Sequence, residues 1–199
     1  MKKIALIISL TMIVSFIFAE EHYLHGDRGP GGGMVFYYSE AGFEVYNAKG
    51  KSTVYHYLEV SHVLGNPVSW CSQKPGKKCC DFETEATLGY GKLNTAKILA
   101  AKHWGGKIDK TNSAAALCAS YSTSTTKPGD WWLPSKDELD FIYTNLACNK
   151  LFPQAKWYWS STTYNKENAW GQDFEYGYQL YESWFLKNKK GHVLAIHAF

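Results

Sequence analysis

The chain has 199 residues and a formal net charge of +3, with 45% hydrophobic, 16% aromatic and 20% charged residues. That length and apolar content suit one domain with a sizeable core, and they exclude a disordered or low-complexity protein. Arg28 is the sole arginine, and nothing suggests the clustered basic face of a nucleic-acid binder.

At the N-terminus, Lys2 and Lys3 precede an apolar run from Ile4 to Phe18, and Phe18-Ala19 offers a small residue before Glu20. Basic, apolar and small regions in that order read as a secretory signal peptide over residues 1–19. The run is short of the ~20 residues that span a bilayer, so cleavage after Ala19 is expected, leaving no transmembrane segment. Loss of Lys2 and Lys3 leaves the lysines and arginine nearly balanced by the acids. Residues 20–28 are polar and expected to be mobile; residues 29–199 are expected to form a single domain.

Gly29-Pro30-Gly31-Gly32-Gly33 is a tight turn ahead of the strand Met34–Tyr38. Glycines that cradle phosphate need a helix N-terminus directly after them; here a strand follows, so the expected role is a chain reversal. Phe43–Tyr46 and Tyr55–Val60 read as further strands, joined by a turn over 47–52. A helix is expected over 94–102 with Asn94 as its cap, and a second over 113–121. Ser135 should cap a third helix running to about Leu146. Its hydroxyl can accept from the amide of Glu138, and the Glu138 carboxylate can reach back, giving the reciprocal capping box. From Trp157 onward strands and turns take over, with turns at Gly177 and over 188–191. The closing strand, 192–199, alternates so that Val193 and Ala195 face one way and Leu194 and Ile196 the other.

Five cysteines allow at most two internal bridges. In an exported protein disulfides are permitted, and the turn-rich loop after Cys71 can bring it back to Cys79 or Cys80. Cys118 and Cys148 pair with each other or remain thiols. No Cys or His spacing completes a zinc site, so no metal and no cofactor are expected.

Several segments in this order resemble the domain-of-unknown-function 1566 family, also called the Lcl C-terminal-like domain. They are Gly29–Phe36, Tyr57-Leu58-Glu59, Leu88–Ala96, Trp131–Leu139, Tyr158-Trp159-Ser160-Ser161 and Ala169–Phe174. The resemblance runs from about Arg28 to Phe199. It implies an α+β, C-type-lectin-like fold of short antiparallel strands with two or three flanking helices. This is the variant shared with formylglycine-generating enzymes and with retroelement variable proteins. It also implies export, with sulfated glycans or host surfaces as ligands of some members. The closing strand of such domains commonly carries two arginines; here Leu194 and His197 stand in their places, which weakens an anion-binding role there.

A formylglycine-type activity needs a reactive cysteine pair late in the chain, and the last cysteine is Cys148. Ser160, His192 and Asp173 make a nominal triad without the glycine pattern of a nucleophile elbow. Catalysis is therefore not expected. The sugar-binding calcium motifs of C-type lectins are absent. Trp159, Trp170 and Phe174 are expected in the core. Tyr164, Asn165, Asn168, Tyr176, Tyr178, Tyr181 and Trp184 fall in or near turns and form the candidate ligand surface, because Tyr and Trp supply rigid contact area with a polar tip. Lysine-rich tips at 74–78 and 187–190 are expected to be solvated. The expected function is an exported, non-enzymatic, adhesin- or lectin-like domain that recognises a glycan or protein at the cell envelope. The alternatives are an enzyme of the formylglycine-type fold and a purely structural envelope protein.

Overall fold

The computed structural model describes residues 22–71, 82–103, 106–107, 112–152, 156–180 and 186–199. The expected signal peptide lies outside them. Ten strands and three α-helices alternate along this part of the chain. Strand β1 is Met34–Tyr46, β2 Ser52–Val60 and β3 Val68–Ser69. Helix α1 (Gly91–Ala100) is followed by the two-residue strands β4 (Lys102–His103) and β5 (Gly106–Lys107). Helices α2 (Ala114–Ser120) and α3 (Lys136–Ile142) follow, and α3 continues into a π-helical turn, Tyr143–Ala147. Strands β6 (Trp157–Thr163), β7 (Ala169–Asp173), β8 (Gln179–Leu180), β9 (Lys190–Gly191) and β10 (Ile196–Ala198) complete the order. The pairings are antiparallel, in sheets ordered β1-β2-β10, β3-β9, β4-β5 and β6-β7-β8. This mixture of helices and antiparallel sheets agrees with the α+β expectation.

Two apolar cores lie on opposite sides of a central layer. The alternation of successive side chains in extended backbone creates them. Trp131 and Leu133 face one core while Trp132 faces the other; Trp159 faces the first and Tyr158 the second. Val193 and Ala195 enter the first core, Leu194 and Ile196 the second, as the period of two requires. The layer is stitched by Trp132 and Ile196 exchanging backbone hydrogen bonds, and by the Trp159 amide donating to the His192 carbonyl. The buried indoles are mostly satisfied, as a buried N–H must be. Trp70 Nε1 donates to the Ser160 carbonyl at 2.7 Å and Trp159 Nε1 to the Val68 carbonyl at 3.0 Å.

The glycine turn reverses the chain, as expected, around an unexpected anchor. Glu59 is fully buried, and its carboxylate accepts the amides of Gly31 at 2.8 Å and Gly33 at 2.7 Å and contacts His197 Nδ1 at 2.8 Å. A Cβ at position 31 would collide with the Glu59 carboxylate, so glycine is required there. His197 thus faces a buried acid.

In residues 22–28 the Gly26 amide donates to the Val35 carbonyl, the Val35 amide to the Asp27 carbonyl, and Tyr23 packs edge-on against Tyr57 and Phe199. Three local expectations need correction. The expected gap between two strands at 39–42 is a bulge inside one strand, β1, with Gly42 at φ 75°. Asn94 does not cap α1, which begins three residues earlier after Tyr90. Instead Asn94 is buried and pairs with the Glu85 backbone through both ends of its amide, at 3.0 and 2.6 Å. Lys187 is fully buried, its Nζ 4.7 Å from the Trp70 ring centroid and 2.8 Å from the Asn165 carbonyl, so it is no part of a solvated tip.

The capping box of α3 is formed as expected. Ser135 Oγ accepts the Glu138 amide at 3.3 Å, and Glu138 Oε2 accepts the Ser135 amide at 2.7 Å. Glu138 Oε1 also accepts the Gly89 amide at 2.9 Å, joining the approach to α1 to the start of α3. Burial pushes the Glu138 carboxyl up to about 7 against the opposing pull of these donors. The Trp132 indole lies beside it without the alignment of a full hydrogen bond.

Candidate functional site

The β6-β7-β8 meander presents two turns, one at each end of β7. The first, 164–168, follows from Asn165, whose Oδ1 accepts the amides of Glu167 at 2.8 Å and Asn168 at 2.7 Å. A side chain that imitates a backbone turn in this way fixes the loop. The amides of Tyr164 and Asn165 both donate to the Asn168 carbonyl, and the Lys187 amide donates to the Glu167 carbonyl. Asn165 and Asn168 therefore build the turn. Tyr164 is 47% exposed and stands edge-on to Trp170, ring centroids 5.6 Å apart. Trp170, expected in the core, is half-buried, with Lys136 Nζ 5.0 Å from its ring centroid. Trp159 and Phe174 are fully buried, as expected.

The second turn, 173–178, carries Tyr176 and Tyr178, each 64% exposed and stacked at 6.3 Å with 22° between the ring planes. Asp173 Oδ1 accepts the amides of Glu175 at 2.7 Å and Tyr176 at 3.2 Å. Gly177, at φ 81°, donates its amide to the Asp173 carbonyl and lies flat on the Tyr143 ring. A Cβ there would come within 2.5 Å of that ring, so the close approach and the left-handed backbone both demand glycine. Gln172 Nε2 donates to Asp140 Oδ1 at 2.7 Å and Gln179 Nε2 to the Lys136 carbonyl at 2.8 Å, which fastens the hairpin to α3.

The expected site is thus divided. β7 has five residues; at about 3.4 Å per residue its ends lie roughly 15 Å apart. Tyr164, Asn165 and Asn168 are at one end, Tyr176 and Tyr178 at the other. Tyr181 and Trp184 lie outside the described residues. Reading the sequence missed three contributors to the second turn: Tyr143 as its floor, and Asp173 and Glu175 as its charge. The Asp-x-x-x-Gly spacing of 173–177 was the available signal.

Electrostatics differ between the groups. The Glu175 carboxylate, through a hydrogen bond and its charge, raises the Tyr176 phenol, and Asp173 adds to this. Burial, Cys148, Asp140 and Asp173 raise the Tyr143 phenol. The field around the second turn is therefore negative. The nominal triad is not assembled: Ser160 Oγ donates to the Trp170 carbonyl, Asp173 holds its own turn, and His192 Nδ1 has no hydrogen-bond partner among the described residues. Burial, aided by Lys156, pushes the His192 imidazole down. Cys71 is buried and disulfide-bonded. Its expected partners, Cys79 and Cys80, lie outside the described residues, as does the 74–78 lysine tip. Cys118 is a buried free thiol whose pKa burial raises well above the ordinary value, and Cys148 is an exposed one. Among the described residues no group of three His, Cys, Asp or Glu side chains is placed to hold a metal ion, and no helix is long and apolar enough to cross a membrane. A separate cleft of about 430 Å³, lined among others by Arg28, Met34, His62 and Phe152, had no signal in the sequence.

No curated protein matches this chain in sequence. Among solved structures, a fimbrial protein from Bacteroides ovatus is similar at 13% sequence identity with a TM-score of 0.47, over 86% of this chain and 45% of that one. This chain therefore spans less than half the length of that protein. The family model for the Lcl C-terminal domain matches residues 68–197, which includes all three helices and every strand from β3 to β10 apart from the last residue. By that match, the chain belongs to the Lcl C-terminal domain family.

Proposed function

We propose that this protein is an exported, non-enzymatic binding domain of the C-type-lectin-like kind, akin to the domain-of-unknown-function 1566 proteins, that recognises a glycan or protein at the cell envelope. The observation that carries the reading is the pair Tyr176 and Tyr178, large rings left in solvent on a turn held rigid by Asp173, Gly177 and Tyr143. Exposed aromatics fixed in place lose little entropy on binding, which makes them effective anchors. Membership of the Lcl C-terminal domain family supports a surface role. The basic-apolar-small order of residues 1–19 supports export, and N-terminal sequencing of the native protein is expected to begin at Glu20. The two cores on either side of a central layer, with short antiparallel strands and three helices, support the lectin-like assignment.

The test is a glycan and extracellular-protein array probed with wild type, Tyr164→Ala, Tyr176→Ala and Tyr178→Ala. Loss of recognition in the Tyr176 and Tyr178 variants places binding at the second turn, and loss in the Tyr164 variant alone moves it to the first. A specific ligand retained by all three variants refutes a site on the meander.

A further inference from the structure

Resting on the binding role just proposed, we infer that the second turn takes a cationic group, the ammonium or guanidinium of a basic peptide segment, in preference to a sulfated or uncharged sugar. Two independent features converge there. The first is the stacked pair Tyr176 and Tyr178, each mostly in solvent, with Glu175 beside the Tyr176 phenol. The electron-rich face of a tyrosine attracts a cation placed within about 6 Å of its centroid. The second is charge. Asp173 and Glu175 lie on the turn itself, and Asp140 lies beneath it on α3, close enough to bond Gln172. The charged groups that act on the phenols of Tyr176 and Tyr143 are acidic, and each acts in the same direction.

Lys136 pairs with Asp137 at 3.8 Å and covers the Trp170 ring, at the opposite end of α3 from Tyr143. A sulfated glycan would meet three carboxylates with like charge, whereas an ammonium meets them with opposite charge and finds two ring faces as well. Rigidity sharpens the selection: Asp173 Oδ1 and the Gly177–Tyr143 contact fix the backbone that carries the two rings.

The experiment titrates the mature protein with tetralysine peptide, with its fully Nε-acetylated counterpart, and with a heparin-derived oligosaccharide, by calorimetry at low and physiological salt. Tetralysine is expected to bind, more weakly as salt rises. Tyr176→Ala and Tyr178→Ala should each weaken it about fivefold. Glu175→Gln should weaken it two- to fivefold, about the effect of one partly screened charge. Val54→Ala, an exposed side chain on β2 away from the meander, should leave it unchanged. Melting curves equal to wild type for the four variants keep folding out of the comparison. Acetylated peptide binding as well as tetralysine, or tetralysine affinity indifferent to Tyr176, Tyr178 and Glu175, overturns the inference. A sulfated or uncharged array ligand whose binding is lost with Tyr176 and Tyr178 overturns the cationic class while leaving the binding role intact. Array ligands insensitive to both tyrosines overturn the two together.

Discussion

Replacing Glu138 with glutamine separates two opposing contributions of one buried side chain. Both carboxylate oxygens accept backbone amides, Gly89 on Oε1 at 2.9 Å and Ser135 on Oε2 at 2.7 Å. Glutamine keeps one acceptor and turns a donor toward the other amide, which costs about 1–3 kcal/mol. The carboxylate, however, is fully buried, and its pKa rises from 4.5 to about 7 on folding. Between those values the unfolded chain releases the proton and the folded protein retains it, so stability falls as pH rises through this window and levels off above it. At about 1.4 kcal/mol per pH unit, the loss between pH 4.5 and pH 8 is on the order of 3 kcal/mol. Glu138→Gln lacks this dependence. Urea denaturation at both pH values should find the variant less stable by about 1–3 kcal/mol at pH 4.5. At pH 8 it should be equal to or more stable than wild type, the difference having moved by about 3 kcal/mol in its favour. Taking the difference between variant and wild type cancels the other titrating groups. An identical difference at the two pH values would mean that the buried carboxylate stays ionised throughout, and that its amide donors outweigh its desolvation.

Three further outcomes are expected. Gly177→Ala should lose about 1–2 kcal/mol from the left-handed backbone alone, and more because the Tyr143 ring must move; unchanged urea stability would show that the turn is not built on that contact. Trp159→Ala, in the core, should lose about 3–5 kcal/mol, whereas Tyr178→Ala should stay within about 0.5 kcal/mol of wild type; calorimetric melts that reverse this order would contradict the burial pattern. Peptide mapping without reductant should find Cys71 joined to Cys79 or Cys80, a short loop contributing on the order of 2–3 kcal/mol; free thiol at Cys71 in native protein refutes the pairing.

Features set by near neighbours were legible in the sequence. Ser135 and Glu138 are three residues apart, and the capping box needs nothing beyond that spacing and a helix to start. The alternation over 193–196 was legible for the same reason, although only the fold reveals that each face enters a different core. Features set by distant partners were not. Asn94 has the chemistry of a cap, yet it is spent inside α1 on the Glu85 backbone, a contact that propensity does not register. Lys187 reads as one of a run of surface lysines, but the Trp70 ring and the Asn165 carbonyl accept it in the interior. The candidate site was legible as residue types, and Tyr164, Tyr176 and Tyr178 are exposed. Its division was not, because chain separation within a meander does not say that β7 holds its two turns apart. Asn165 illustrates the cost of reading polarity as recognition: its side chain is consumed in making the turn.

The claim that the meander is a binding surface meets its most direct test in paired measurements on Tyr176→Ala and Tyr178→Ala, a melting curve and a binding isotherm for each against the same array-identified ligand. Melting temperatures equal to wild type, with affinity reduced by more than about 1 kcal/mol in each variant, are the predicted result. Destabilised variants that bind with undiminished intrinsic affinity would contradict it, and would make the exposed tyrosine pair a structural element of the hairpin.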